Sequence, residues 1–358
     1  MQEMLHIIEP TLEGEAGHCY SFVTSLCQAA GTYPLTVWYG NRAVISLPPG
    51  VCTRRFFFRT FRRLQAFWLY HTLLRQPGRL FISTAGRTDL ILLNLACRGE
   101  IPPHKVFLYI HWFRPSPGKR RQLEKLAERQ PGITVLTPTA SVFEEFRAAG
   151  FAHTRLVPYP ITPLAPGEVP AEHQAFRRLL FAGAARRDKG FSAVVDFVAL
   201  LAQTRQHIPV SLQTSSAHYA KFDDTTMQDL ARLEAIAYPN LERYAETLHQ
   251  AEYRRLFSGA ICLQLYSRQD FADRISGVTL DALSAGSPVV TLSGTWMGRV
   301  VAEFDAGAVI ESSAPEVVLT AVQRVMERYE YYRDNAIVAG RELQKRNSAE
   351  YLFRELTV

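Results

Sequence analysis

Two aspartates mark the start of a short predicted helix in the second half of the chain, one before the helix and one in its first turns. Asp273 and Asp281 lie eight positions apart, with Gly277 between them and helical spacing over residues 278–285. Gly286 stands where a left-handed residue commonly ends a helix. Amide groups at a helix N-terminus favour anions, and carboxylates accept hydrogen bonds from hydroxyl groups. The stretch therefore predicts a site for a sugar nucleotide, with phosphates on the amides and hydroxyls on the carboxylates.

A glycine-containing loop with basic residues follows a predicted strand that begins at Leu179. Gly183 allows the backbone to approach a phosphate closely. Arg186 or Arg187, together with Lys189, supplies positive charge for the same phosphate. The order of strand, glycine loop and helix therefore predicts a phosphate-binding loop. The alternative is a surface helix that begins with basic residues.

A histidine follows another short apolar strand, predicted at residues 106–110. His111 begins a proline-rich loop that runs to Pro117. Doubly wound α/β folds bind ligands at the carboxyl ends of their strands. His111 is therefore a candidate functional residue, and the alternative is a structural histidine.

Residues 54–70 combine arginines with aromatic residues and are predicted to form one helix. Its basic and apolar residues would lie on opposite faces: Arg55, Arg59 and Arg62 against Phe57, Phe61, Leu64 and Trp68. With Arg63 beside them, these residues favour contact with an anionic membrane surface. The alternative is a helix packed on its own domain with a solvated basic face. Nucleic acid is less favoured, because no RNA-binding or helix-turn-helix signature accompanies the arginines.

Composition excludes several classes of protein. The chain has 358 residues, of which 47% are hydrophobic, and this favours two folded domains over disorder. Its five cysteines show no paired spacing, so they predict neither a zinc site nor a disulfide framework and favour a reducing compartment. No signal-peptide pattern and no apolar stretch long enough to span a bilayer is present. We therefore predict a cytoplasmic protein.

Charge is distributed unevenly along the chain. Residues 1–160 contain 19 Lys and Arg against 10 Asp and Glu, a net charge of +9, whereas the remainder contains 21 against 24, a net charge of −3. The first half is therefore expected to face an anionic partner, such as a membrane surface, a phosphorylated acceptor or nucleic acid.

The segment that begins at Asp281 resembles the retaining GT-B glycosyltransferases, most closely their large family four (group 1). The chain reads Asp-Ala-Leu-Ser-Ala-Gly-Ser-Pro-Val-Val, similar to the family's Glu-Ala-Met-Ala-x-Gly-x-Pro-Val-Val. The family has two glutamates where this chain has Asp273 and Asp281, each one methylene shorter. Lys189 matches the family's Gly-Arg-x-x-x-x-Lys-Gly loop. Its arginine position is occupied by Ala184, so one of the two following arginines would take that role.

This resemblance implies an α/β protein of the GT-B fold, with two Rossmann-like domains that face a central cleft. Residues 1–165 would form the acceptor-binding domain and residues 166–335 the nucleotide-sugar-binding domain. Residues 336–358 would form a C-terminal helix that crosses back to the first domain.

The resemblance also implies roles for individual residues. The catalytic group would comprise His111, Arg186, Lys189 and Asp273. Donor-binding residues would be Gly17, Gly183, Arg187, Ser215, Gly277, Val278, Thr279 and Asp281. Acceptor or membrane contacts would come from His18, Arg55, Arg59, Arg62 and Arg63.

The implied reaction is transfer of a hexosyl-type group, with retention, from a nucleotide-diphosphate sugar to a glycan or lipid-linked acceptor. A UDP-sugar is the preferred donor. We expect no metal, no cofactor and no nucleic-acid partner, a role in polysaccharide biosynthesis, and contact with the inner face of a membrane. The alternatives are a catalytically degenerate GT-B protein that binds a nucleotide sugar or a protein partner, a nucleotide-sugar epimerase of the same fold, and a nucleic-acid-binding protein.

Three further local expectations concern the elements between these motifs. Residues 44–47 are predicted to form a strand. Ser141 is predicted to cap a helix with Glu144 at its third position. Residues 223–256 are predicted to be helical and solvated.

Overall fold

The computed structural model describes residues 3–15, 18–160, 174–215, 223–246 and 248–358, without the side chains of His18 and Gln250. The chain divides into two compact units. Residues 1–163 and 346–358 form the first unit, and residues 164–345 form the second. The predicted linker near residue 165 lies outside the described residues.

A parallel seven-stranded sheet forms the centre of the first unit, in the order β3-β2-β1-β4-β5-β6-β7. Its strands are β1 (Leu5–Glu9), β2 (Leu35–Gly40), β3 (Cys52–Phe57), β4 (Arg79–Ile82), β5 (Val106–Tyr109), β6 (Thr134–Thr137) and β7 (Thr154–Leu156). The helices that follow these strands are α1 (His18–Ala30), α2 (Arg62–Leu73), α3 (Arg87–Ala96), α4 (Pro117–Arg129) and α5 (Ala140–Ala148).

Apolar strands with both faces buried explain why this sheet is parallel and covered by helices. Successive side chains point to opposite faces of a strand. Leu80 and Ile82 accordingly pack in the core that includes α2 and α3, whereas Phe81 packs in a second core with Phe22 of α1. Glu9 ends β1 as a buried acidic residue.

A parallel six-stranded sheet forms the centre of the second unit, in the order β10-β9-β8-β11-β12-β13. Its strands are β8 (Arg178–Phe181), β9 (Val210–Gln213), β10 (Leu241–Tyr244), β11 (Ala260–Gln264), β12 (Val289–Leu292) and β13 (Gly307–Ile310). Its helices are α6 (Phe191–Gln203), α7 (Asp224–Ala235), α8 (Gln250–Leu256), α9 (Arg268–Phe271), α10 (Gly277–Ser284), α11 (Trp296–Phe304), α12 (Pro315–Glu327) and α13 (Tyr329–Arg346).

The last helix, α14 (Ala349–Thr357), belongs to the first unit and packs against α1. Leu352 and Leu356 of α14 join the core that contains Phe22. Within the described part of the chain, no helix combines the length and the apolar content needed to cross a membrane.

The expectation that residues 54–70 form one helix is wrong. Residues 52–57 form the edge strand β3, which pairs with β2, and the helix begins only at Arg62. Gln65 explains the break, because its side chain accepts a hydrogen bond from the amide of Phe58 at 2.7 Å and donates one to the carbonyl of Phe56 at 2.7 Å. Phe57 is buried and therefore does not share a face with the exposed aromatic residues of α2.

Three other local expectations are also wrong. Residues 43–48 are irregular, with no strand at 44–47. Helix α5 begins at Ala140 with Thr139 as its N-cap, so Ser141 lies inside the helix. Residues 223–256 are not one helical region, because strand β10 interrupts them. β10 pairs with β9, and the Val210 amide donates a hydrogen bond to the carbonyl of Asn240 at the start of this pairing.

Strand order places the polar ends of several strands at one edge of each sheet. The sequence order reverses between β1 and β4 in the first unit, and between β8 and β11 in the second. Ligands of doubly wound folds bind outside the carboxyl ends of the strands at such switch points. In the first unit these ends carry Glu9, Ser83 and His111, and in the second unit β8 leads into Gly183.

Candidate active site

The turn after β8 is built around a glycine and a lysine. Gly183 has φ +91°, and its amide donates a hydrogen bond to Gln213 Oε1 at 2.6 Å. A Cβ atom at this position would lie 2.7 Å from Lys189 Nζ. Glycine is therefore needed for the backbone conformation and for the space that the ammonium group occupies.

Lys189 ends a 3₁₀ turn, Arg187–Lys189, that leads into α6. The next residue, Gly190, has φ +73°, and a Cβ there would lie 1.9 Å from the carbonyl oxygen of Leu265, so the loop packs directly on the chain that leaves β11. The ammonium group lies 5.7 Å from the ring centroid of Tyr266. Burial, with repulsion from Arg186, lowers the pKa of Lys189 to about 8. The group is therefore mostly protonated at neutral pH.

Asp188 brings two arginines together beside this lysine. Arg186 Nε donates to Asp188 Oδ1 at 2.8 Å, and Arg274 Nη1 lies 3.6 Å from Asp188 Oδ2. The guanidinium of Arg274 also lies 4.9 Å from the ring centroid of Phe271. Three cations and one carboxylate leave a net positive charge, which suits an anion with several oxygens.

Arg274 is a site residue that the sequence analysis missed. Its only sequence signal is its position directly after Asp273, in the stretch that carries the aspartate pair. Arg187 is exposed to solvent, whereas Ala184, at the position of the family's arginine, is half-buried. The structure thus places two guanidinium groups, those of Arg186 and Arg274, on the carboxylate next to Lys189.

The N-terminus of α10 reaches the same turn. Val278 Cγ2 lies 3.4 Å from the position that a Cβ of Gly183 would occupy. Ser276 caps the helix by accepting a hydrogen bond from the amide of Thr279 at 3.4 Å. The Thr279 hydroxyl is buried and donates to Gln264 Oε1 at 2.5 Å. Gly277 begins the helix, where backbone amides lack intrahelical acceptors.

Asp281 and Asp273 have different partners. The hydroxyl of Tyr253 donates to Asp281 Oδ2 at 2.9 Å. Desolvation raises the pKa of Asp281 to about 6, partly offset by Tyr253 and by the positive charges of Arg254 and Lys189. Arg299 of α11 donates to Asp273 Oδ1 at 2.8 Å and also binds the carbonyl of Ala272.

Ser215 and Gly17 are the remaining predicted donor-binding residues, and His18 is a predicted acceptor contact. Ser215 is buried, two residues beyond the end of β9. Gly17 lies outside the described residues. His18 begins α1, but its side chain is not among those described.

In the first unit, His111 follows the end of β5. Its Nε2 donates a hydrogen bond to the carbonyl oxygen of Ser83 at 2.7 Å. Three aromatic rings surround the imidazole, with centroids 5.0 to 5.8 Å away, from Tyr109, Tyr159 and Phe22. The aromatic contacts and this hydrogen bond fix the ring.

A buried carboxylate supports the chain segment that holds His111, and the sequence analysis missed it. Glu9 Oε2 accepts a hydrogen bond from the Ser83 hydroxyl at 2.7 Å and another from the Thr84 hydroxyl. Its Oε1 accepts from the amide of Thr11 at 3.0 Å. The sequence signal was an acidic residue at the end of a short, mostly apolar strand.

The predicted acceptor or membrane arginines lie near the β3 edge of the same unit. Arg55 belongs to β3, Arg59 to the turn that follows, and Arg62 and Arg63 to the first turn of α2. All four are exposed.

Comparison with known proteins gives similarity in structure alone. No protein-family model and no curated protein sequence matches the chain. Several solved structures align with it over almost their whole length. WaaG, a glycosyltransferase involved in lipopolysaccharide biosynthesis, is 12% identical and aligns over 99% of both chains, with a TM-score of 0.69.

Sucrose-phosphate synthase from Thermosynechococcus elongatus is 14% identical and aligns over 99% of this chain and 96% of its own, with a TM-score of 0.67. HepE from Anabaena, solved with UDP and glucose, is 12% identical and aligns over 99% and 98%, with a TM-score of 0.68. With its two parallel-sheet α/β units, the chain therefore has the GT-B fold of these glycosyltransferases.

Proposed function

We propose that the protein is a glycosyltransferase that moves a hexosyl-type group from a nucleotide-diphosphate sugar to an acceptor. The observation that carries this proposal is the position of Lys189 against Gly183, at the carboxyl end of β8, with Arg186 and Arg274 beside it. The likeness to HepE, which was solved in complex with UDP-glucose, makes a UDP-sugar the preferred donor.

Lys189 and one or both arginines bind the donor diphosphate in this proposal. Glycosyl transfer breaks the bond between the anomeric carbon and the diphosphate, so negative charge develops on the leaving group. A fixed cation that interacts more strongly with that charge than with the bound donor accelerates the step. Protein cations at this position can take the role that a divalent metal ion has in other transferases, and we propose a metal-independent reaction.

The acidic residues bind the neutral parts of the donor. The carboxylate of Asp281 accepts hydrogen bonds from ribose hydroxyls, and Asp273 accepts them from the sugar. His111 of the first unit contacts the sugar and the departing phosphate, and the anomeric configuration is retained. These roles follow the resemblance of the sequence to family four.

The acceptor in this proposal is a glycan or a lipid-linked glycan, bound by the first unit in the cytoplasm at the inner face of a membrane. The net charge of +9 over residues 1–160 supports an anionic acceptor or an anionic surface. The involvement of WaaG in lipopolysaccharide biosynthesis supports a function in polysaccharide biosynthesis.

A catalytically degenerate GT-B protein is the second candidate. Two observations favour it: Ala184 lacks the charge of the family's arginine, and Asp273 is paired with Arg299. Such a protein would bind a nucleotide sugar and release no free sugar from it, with or without acceptor.

Calorimetric titration with UDP, GDP and ADP in the presence of a chelator tests the donor site. We expect one nucleotide, UDP, to bind the wild type and to lose at least tenfold in affinity in Lys189→Ala. Lys345→Ala is the matched control, because Lys345 is an exposed lysine of the same unit, near the end of α13. Slow release of glucose from UDP-glucose would then favour the transferase, whereas no binding of any nucleotide would overturn the donor site.

A further inference from the structure

An apolar ridge lies on the solvent side of the first unit, next to the edge strand β3. Its four members are large and exposed: Phe58 (47%), Phe61 (62%), Leu64 (59%) and Trp68 (57%). Phe61, Leu64 and Trp68 follow one another at spacings of three and four, so they form one stripe of α2. The ridge is therefore contiguous, unlike single exposed apolar residues, which are common on protein surfaces.

The core does not account for this ridge, because α2 packs through other residues. Ala66, Leu69, Tyr70 and Leu73 are the buried residues of α2, and they join the core with β4 and α3. The helix thus has an apolar buried face and a second apolar stripe in solvent. The Gln65 side chain, which joins Phe56 and Phe58 to α2, holds the two parts of the ridge in one arrangement.

Arginines neighbour the ridge residues in the sequence, and acidic residues are absent from this part of the chain. Five arginines lie between residues 54 and 63, and all five are exposed: Arg54, Arg55, Arg59, Arg62 and Arg63. Residues 16–88 contain nine arginines and no aspartate or glutamate. A partner that covers the ridge would therefore meet a positive rim without any compensating carboxylate from this segment.

We propose that this ridge and its arginine rim dock on an anionic lipid bilayer. The ridge inserts Phe58, Phe61, Leu64 and Trp68 into the region between headgroups and acyl chains, where aromatic side chains are favoured. The arginines bind headgroup phosphates around them. This inference does not rest on glycosyl transfer, because lipid binding is measured without donor or acceptor.

Charge favours a bilayer over a second copy of the chain. Pairing of β3 with the same strand of another copy would bring the exposed Arg54 and Arg55 of both strands close together, and like charges opposite each other destabilise a sheet. A nucleic acid would place phosphates on the arginines but would leave the apolar stripe largely unburied. An anionic membrane satisfies both the apolar centre and the basic rim.

Co-flotation of the full chain with vesicles tests the proposal. We expect binding to vesicles that contain phosphatidylglycerol, weak binding to vesicles of phosphatidylcholine alone, and loss of binding at high salt. Phe61→Ser combined with Trp68→Ser should lower the partition coefficient at least tenfold. Arg59→Gln combined with Arg62→Gln should also lower the partition coefficient, by about fivefold for each charge removed.

Matched controls lie elsewhere on the same unit. Leu156→Ser replaces a 48% exposed leucine in β7, at the opposite edge of the sheet, and should leave partitioning unchanged. Arg129→Gln removes an exposed charge from the end of α4 and should do the same. UDP binding should persist in the ridge variants, because Lys189, Arg186 and Arg274, the residues proposed to bind the diphosphate, lie in the second unit. The two proposals can therefore fail separately.

Three results would overturn the proposal. The first is no vesicle binding by the wild type, and the second is equal loss of binding in the controls and the ridge variants. The third is a concentration-dependent dimer, seen by sedimentation, that disappears in the Phe61→Ser, Trp68→Ser variant, which would assign the ridge to a second copy. If that variant unfolds, Leu64→Gln provides the same comparison with a single exposed residue.

Discussion

His111 Nε2 lies 2.7 Å from the carbonyl oxygen of Ser83, and the hydroxyl of the same serine donates to the buried carboxylate of Glu9. These bonds connect the carboxyl ends of β1, β4 and β5. A carbonyl oxygen can only accept, so Nε2 of His111 carries a proton. The orientation and tautomer of the imidazole are thus set by a segment that Glu9 holds in place.

Glu9→Gln should destabilise the first unit. A neutral amide has one acceptor oxygen, so its NH₂ group would face hydroxyl or amide groups that now donate to the carboxylate. We expect a loss of about 1–3 kcal/mol in the free energy of unfolding, measured by urea titration. Glu13→Gln, which changes an exposed glutamate of the loop after β1, is the control and should have little effect. Equal stability of both variants would show that the Glu9 network contributes little.

His111→Ala should separate catalysis from donor binding. The imidazole belongs to the first unit, whereas Lys189, Arg186 and Arg274 belong to the second. We expect kcat to fall by more than about tenfold while the Kd for UDP changes little, since an interaction made mainly in the transition state lowers kcat. Turnover assays and calorimetry on one preparation measure both quantities. An unchanged kcat would remove His111 from the catalytic group.

Gly183→Ala should weaken UDP binding because a methyl group would displace the ammonium group of Lys189. The positive φ adds a cost of about 1–2 kcal/mol in stability. Gly294→Ala is a matched control, because Gly294 also has a positive φ, +71°, but its nearest neighbour is the flexible side chain of Arg268. Both variants should lose stability, and only Gly183→Ala should lose UDP affinity. Equal affinity in the two variants would contradict the role of the turn.

UDP-glucose affinity should be highest between about pH 6 and pH 8. Lys189 is charged below its pKa of about 8, so affinity should fall as pH rises through that value. Asp281 is charged above its pKa of about 6, so affinity should fall as pH decreases through that value. The diphosphate of UDP-glucose is esterified at both ends and has no secondary phosphate ionisation in this range.

Calorimetry across this pH range measures how the affinity depends on pH. Two variants identify the residue that causes each fall in affinity. Lys189→Arg keeps a charge throughout and should remove the fall at high pH. Asp281→Asn cannot titrate and should remove the fall at low pH, with lower affinity overall. A profile that both variants leave unaltered would assign the titration to other groups.

Arg274→Gln should lower UDP affinity by about tenfold, equivalent to about 1.4 kcal/mol, if its guanidinium binds the diphosphate. Arg187→Gln provides the comparison, because Arg187 precedes Asp188 in the turn after β8 but is exposed. Arg186 and Arg274 share Asp188, so the double variant should show coupling between them. A larger effect of Arg187→Gln would mean that Arg187 takes the place of the arginine missing at Ala184.

Local features of the sequence were sufficient to predict the turns and the class of fold. The conformations of Gly183 and Gly286, both with positive φ, follow from the absence of a Cβ atom, and the short apolar strands required a buried parallel sheet. The spacing of Gly183 and Lys189 already predicted the phosphate-binding loop, and the structure places their atoms together.

Tertiary structure decided the relationships between residues distant in sequence. Arg274 joins the site only because the chain after β11 returns to Asp188, and Glu9 supports His111 only because β1 and β4 are neighbours. Residues 54–70 fit both a strand and a helix, since a short run of basic and aromatic residues has no unique period. Pairing with β2 took Phe57 into the core, and the packing of α2 left Phe61 and Trp68 in solvent. Local propensity can specify a turn, but contacts between distant segments determine which side chains meet and which remain exposed.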